Sequence, residues 1–122
     1  MDEKGHVYGF EKLKVWKNSR IFSTKIYKLS MNFPSDEKFG LISQIRRATV
    51  SVTANIAEGS SRFSKKDFAR FVQISYGSLM EVLSHAYLAY DLKYMNNKEL
   101  DDIKYEAYQI SNQLNALHKS LN

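Results

Sequence analysis

The sequence predicts an all-α protein, an antiparallel up-down-up-down four-helix bundle that associates with copies of itself. Three observations carry this reading. Four segments each hold apolar residues at alternating spacings of three and four, the signature of helices packed at shallow angles. No segment alternates with period two for long enough to compete as a strand. And the stretch Leu41–Gly59 is almost free of charge: between Leu41 and Ala57 only Arg46 and Arg47 are ionised, the rest being aliphatic, small or uncharged polar. A helix apolar or small on nearly every side is normally buried on more than one side. A chain of 122 residues cannot easily surround it alone, so self-association is expected.

The first seam runs Val15, Ser19, Phe22, Ile26, Leu29, Phe33. Lys14, Lys17, Lys25 and Lys28 project from the opposite side of that helix, where a solvated face is the ordinary role. The only proline, Pro34, then interrupts the pattern. Ser35 is expected to cap the second helix, with Asp36 and Glu37 in a first turn that favours negative charge. The second seam follows as Ile42, Ile45, Thr49, Val52, Ile56, and Gly59 is placed to end it in a left-handed conformation. Ser64 with Asp67 resembles a capping box for the third seam, Phe68, Val72, Ser75, Leu79, Val82, Ala86, Ala89. Mid-helix Gly77 is expected to permit close helix approach. Asn96 with Glu99 repeats the capping box before the fourth seam, Leu100, Ile103, Ala107, Ile110, Leu114, Leu117, Leu121. Short connections make successive helices antiparallel.

One domain over residues 10–122 is expected, preceded by a flexible tail at 1–9. A hydrophobic fraction of 43% with 25% charged residues is that of a globular chain rather than a disordered one. With no cysteine, disulfides and thiolate zinc sites are excluded. No apolar run reaches membrane-spanning length and the first residues hold no apolar signal core, so a soluble, cytoplasmic protein with no membrane role is expected.

Chemistry-bearing patterns are sparse. His6, His85 and His118 are scattered, and Glu81 with His85 occurs once, short of the several inward carboxylates of a bundle di-iron site. Nucleophile elbows, phosphate-binding glycine loops and zinc-protease motifs are missing. No metal, no cofactor and no catalytic residues are expected, hence no enzyme. The late tyrosines, Tyr76, Tyr87, Tyr90, Tyr94, Tyr105 and Tyr108, are expected to pack between helices three and four with hydroxyls reaching water.

Charge is distributed unevenly. Net charge is +5 overall, +4 over residues 39–70 and −2 over residues 71–122. Arg62, Lys65, Lys66 and Arg70 cluster around the turn between helices two and three, with Phe63 among them. Clustered cations, an adjacent aromatic ring and free helix N-terminal amides suit phosphate contacts and base stacking; the same residues also suit an ordinary solvated turn. On a helical wheel Arg47, Ser51, Ala54 and Glu58 share a face of helix two away from its seam. Arg47 and Glu58 there serve either as tethers between helices or subunits, or as the lining of a pocket or channel.

Several segments in a fixed order carry a resemblance. They are F-E-K-L-K-V-W at Phe10–Trp16, G-L-I-S-Q-I-R-R-A at Gly40–Ala48, A-N-I-A-E-G at Ala54–Gly59, Phe68 with Phe71, G-S-L-x-E at Gly77–Glu81 and A-Y-D-L at Ala89–Leu92. Together they resemble the 23S rRNA intervening-sequence proteins, and through them the accessory variability proteins of diversity-generating retroelements. The resemblance covers almost all of Phe10–Leu121. It implies a four-helix bundle assembled into a homopentameric barrel, associated with nucleic acid and without a catalytic site. The retroelement relatives bind RNA and a reverse transcriptase through a basic surface. Arg46 and Arg47 occupy the double-arginine motif, and Arg62 follows the A-N-I-A-E-G turn. Thr53 stands where many relatives have proline, which makes this helix smoother.

The expected function is therefore binding of structured RNA or DNA through backbone phosphates by a homo-oligomer. The contacts are assigned to Arg62, Lys65, Lys66 and Arg70, then Arg47 and Arg46. Arg47, Ser51, Ala54 and Glu58 are assigned to the oligomer interface. The alternative is a protein-interaction scaffold that docks a partner protein such as a reverse transcriptase, its basic charge incidental.

Overall fold

The spacings of three and four resolve into four helices in a computed structural model that describes residues 3–122, and of Glu3 the backbone only. They are α1 (Lys14–Ser30), α2 (Leu41–Ser60), α3 (Lys65–Asp91) and α4 (Asn97–Ser120). Among the described residues there is no strand, and short 3-10 turns occupy Glu3–Gly5, Gly9–Lys12 and Ser35–Glu37. Met1 and Asp2 of the expected N-terminal tail lie outside the described residues.

The four seams meet in one core. Phe22, Ile26, Ile45, Val52, Ile56, Val72, Leu79, Val82, Ile103, Ile110 and Leu114 are all essentially inaccessible to solvent. Polar ties fix how the helices pair. On α1 and α2, Ser23 meets Thr49 (2.9 Å) and Ser30 meets Arg46 (2.8 Å). Ser51 meets Ser78 across α2 and α3 (2.8 Å), and buried Ser75 donates to the Val52 carbonyl (2.8 Å). On α1 and α4, Asn18 donates to Gln113 (3.1 Å) while Lys25 pairs with Glu106 (2.9 Å). Lys25 thus faces α4 rather than open solvent.

Two of the expected caps form. The Ser64 side chain accepts the Asp67 N–H, and Asn96 with Glu99 makes a reciprocal capping box. At α2 the expectation fails in an instructive way. Ser35 lies in the 3-10 turn and Gly40 holds the N-cap position, but Glu37 still supplies negative charge: its carboxylate accepts the Leu41 N–H (3.2 Å). The same carboxylate accepts the Tyr94 hydroxyl (3.0 Å), and this hydrogen bond holds the phenol above its ordinary value. Tyr94 therefore ties the α3–α4 connection to the α1–α2 connection instead of reaching water. Tyr76 alone of the other late tyrosines packs against the core; Tyr87, Tyr90, Tyr105 and Tyr108 are exposed.

The two glycine roles are exchanged relative to expectation. Gly59 does not end α2 in a left-handed conformation; no described glycine has positive φ, and α2 continues to Ser60. Gly59 instead lets α3 approach, since a Cβ there would lie 2.6 Å from Phe71 Cβ and 3.0 Å from a Phe68 ring carbon. Gly77, expected at a close approach, has nothing within 4 Å of where its Cβ would stand. Gly59→Ala is accordingly expected to destabilise the fold by about 1–3 kcal/mol, the clash outweighing the helix-propensity gain of about 1 kcal/mol. A lowered urea midpoint checks it; an unchanged or raised midpoint contradicts it. The opposite sign is expected at Ser19, fully buried with no partner for its hydroxyl. Ser19→Ala removes an unpaired polar group and should raise stability by about 1 kcal/mol, read from the same midpoint.

Candidate nucleic-acid interface

The helix pairing decides which charges gather at each end of the molecule. Trp16 and Arg20 near the start of α1 share a pocket with Thr53 late in α2, and Asn18 of α1 meets Gln113 late in α4. The start of α1, the end of α2, the start of α3 and the end of α4 thus lie at one end. There Lys12, Lys14, Lys17, Arg62, Lys65, Lys66, Arg70 and Lys119 outweigh Glu11, Glu58 and Asp67. At the opposite end Asp36, Glu37, Asp91, Glu99, Asp101 and Asp102 are largely offset by Lys28, Lys38, Lys93, Lys98 and Lys104. The excess of positive charge thus gathers at one end of the fold.

Within the basic end, Arg62 and Arg70 are organised by one ring. Both guanidinium groups lie over Phe71, at 4.6 and 5.4 Å from its centroid. Arg62 also pairs with Glu58 one turn back (3.2 Å). The structuring aromatic is therefore buried Phe71, whereas Phe63 is fully exposed. Lys65 and Lys66 extend from the first turn of α3 into solvent. A concavity of about 580 Å³ opens between the start of α3 and the end of α4, lined by Lys66, Asp67, Arg70, Gln73, His118 and Asn122 among others. The Asn122 side chain donates to the His118 carbonyl (3.0 Å), closing the end of α4. Sequence reasoning missed the α4 contribution. The signal was present in the antiparallel phasing, which sets the last turn of the fourth seam beside the first turn of the third.

The double arginine is elsewhere. Arg46 and Arg47 lie roughly 20 Å from the α2–α3 turn along α2, at a rise of about 1.5 Å per residue. Arg46 donates to Ser30 Oγ (2.8 Å) and the Tyr27 carbonyl (3.2 Å), and its guanidinium stacks 4.6 Å from the Tyr27 centroid. Its donors are committed to holding α1 on α2. Arg47 is exposed. The structure thus brings together Arg62, Lys65, Lys66 and Arg70, and separates Arg46 and Arg47 from them.

Arg47, Ser51, Ala54 and Glu58 descend the outer edge of α2 beside α3. Ser51 is half-buried, bonded to Ser78 and to the Asn55 amide (2.9 Å), while Arg47, Ala54 and Glu58 are exposed. Val50 (44% exposed), Ile74 (45%) and Leu88 (48%) border them, with exposed Gly77 and Glu81 on the same stripe of α3. In a single chain this face is uncovered.

Among the described residues no group of three His, Cys, Asp or Glu side chains is placed to hold a metal ion. No described helix is long and apolar enough to cross a membrane. Away from the basic end, the Lys104 ammonium is held above its ordinary value by its hydrogen bond to Tyr87 on α3.

Comparison with known proteins places the fold. A crystal structure of a protein with unknown function, from the S23 ribosomal protein family of Bacteroides thetaiotaomicron, superposes with a TM-score of 0.80 at 24% identity. The match covers 86% of this chain and 98% of that one, and at this identity it speaks for the shared fold alone. No curated protein matches. The family model for the 23S rRNA-intervening sequence protein matches residues 11–116, all four helices but the end of α4. The chain therefore belongs to the 23S rRNA-intervening sequence protein family.

Proposed function

We propose that the protein is a non-enzymatic, self-associating bundle that binds structured RNA through backbone phosphates at its basic end. The observation that carries this is the gathering of Arg62, Lys65, Lys66 and Arg70 around Phe71, on the end that also receives Lys14, Lys17 and Lys119. Phosphate contacts are ionic and non-directional, so they need this kind of cationic surface and no catalytic centre. The opposed order of contacts along each helix pair supports an antiparallel up-down-up-down arrangement.

Assembly is the second part of the reading. The outer face of α2 and α3 offers Val50, Ala54, Ile74 and Leu88 with bare Gly77, beside the charges of Arg47, Glu58 and Glu81, a surface another copy can cover closely while pairing those charges. A closed ring, five-membered if the resemblance holds for this chain, would repeat the basic end around one axis and turn weak single contacts into avidity. Titrating a labelled hairpin RNA in fluorescence anisotropy tests the reading. Binding at low salt that Lys65→Glu with Lys66→Glu weakens supports it. Binding untouched by that pair removes the basic turn as the contact surface. Absence of RNA binding leaves the surface to a protein partner, the scaffold alternative.

A further inference from the structure

A second feature lies on the other edge of α2 from the outer face. A concavity of about 380 Å³ between α1 and α2 is lined by Trp16, Arg20, Ser23, Thr24, Tyr27 and Thr53. Its volume is that of a small-molecule site. Each of its two aromatic rings carries a guanidinium: Arg20 lies 5.6 Å from the Trp16 centroid, and Arg46 lies 4.6 Å from that of Tyr27. Phe10 meets Trp16 edge-on at 4.8 Å, and the Tyr8 N–H donates to Glu11 (2.7 Å), so the turn before α1 packs against the indole. Planar rings and guanidinium planes are what RNA-binding proteins use to stack unpaired bases.

The hydroxyls refine the chemistry. Thr24 Oγ1 donates to the Arg20 carbonyl (3.0 Å), Thr53 Oγ1 to the Val50 carbonyl (3.0 Å), and Ser23 Oγ bonds to Thr49 (2.9 Å). With the Thr24 and Thr53 protons spent on the backbone, these oxygens present lone pairs to the cavity. Arg20 adds guanidinium donors to those acceptors, so the groove can meet both the donor and the acceptor edges of a base. Thr53 lies nine residues before Arg62, about 13 Å along the helix direction, so one RNA can span both surfaces.

We infer that this α1–α2 groove, whose two rings stand 11 residues and about 16 Å apart along α1, is a stacking site for a short run of unpaired nucleobases in an RNA whose phosphates lie on the basic end. The inference rests on the proposed RNA binding and adds to it a single-stranded element.

Trp16 is the only tryptophan, so its fluorescence reports this site directly. The full-length protein is titrated with short oligoadenylate, oligouridylate and a blunt duplex RNA, recording Trp16 emission alongside anisotropy of the labelled RNA. The inference expects both single-stranded oligonucleotides to quench Trp16 and the duplex to bind without quenching. Tyr27→Ala, at an exposed position on α1, should lower oligoadenylate affinity about tenfold and leave duplex affinity unchanged. Anisotropy showing RNA bound with Trp16 emission unchanged, or quenching equal for all three RNAs, overturns the inference and leaves the basic-end reading standing. No binding of any RNA overturns both.

Discussion

Ala54→Glu is expected to convert the proposed assembly to single chains of 14.2 kDa while leaving the helices intact. Ala54 is exposed on the outer edge of α2, so glutamate there faces water in an isolated chain and costs the fold little. In an assembly that covers this face, the same carboxylate is forced against Val50 and Ile74 of the shared surface, and an unpaired buried charge is not tolerated. Light scattering should report the monomer mass, with circular dichroism unchanged. RNA affinity should fall with it, by roughly a hundredfold or more, because linked copies of a weak site lose their avidity when separated. A variant that stays fully assembled would show that this face is not the interface. Val52, which shares the low charge of the same helix, is the wrong probe: it is completely buried in the core, and a charge there unfolds the bundle.

The second large effect is expected from Lys65→Glu with Lys66→Glu. Both side chains are solvated and outside the core, so assembly and thermal stability should be unchanged. If each lysine neutralises one phosphate, their loss lowers the slope of log affinity against log salt by about 2, and reversal of sign adds repulsion. A drop of about tenfold or more at low salt is the expected result. Arg62 and Arg70 are less clean probes, because their stacking on Phe71 makes them part of the α2–α3 packing. Charge changes at Arg46 should act on stability more than on RNA, since its donors hold Ser30 and the Tyr27 carbonyl.

The helices were legible because their signal is local and repeated. Every interior position of the third seam from Val72 to Ala89 is buried, and Ser64 and Asn96 cap where the sequence places them. What was illegible depends on the partner across the interface. Gly59 and Gly77 look alike in sequence, and only the third helix distinguishes a glycine pressed on Phe71 from one facing open space. Phe63 and Phe71 both neighbour the basic cluster in sequence, yet helix phase turns Phe71 beneath two guanidinium groups and leaves Phe63 in solvent. Lys25 shared a predicted solvated face with Lys14, Lys17 and Lys28 until α4 presented Glu106 to it. The α1–α2 concavity gave no sequence signal, because Trp16, Arg20, Tyr27 and Thr53 converge only once the two helices are paired.

The most direct test of phosphate recognition at the basic end is affinity for a labelled structured RNA across a salt series of roughly 50 to 300 mM. A straight line of log affinity against log salt, with a slope of several displaced counterions that shrinks in the Lys65→Glu, Lys66→Glu variant, is the predicted result. A flat line, or no binding at the lowest salt, would contradict it.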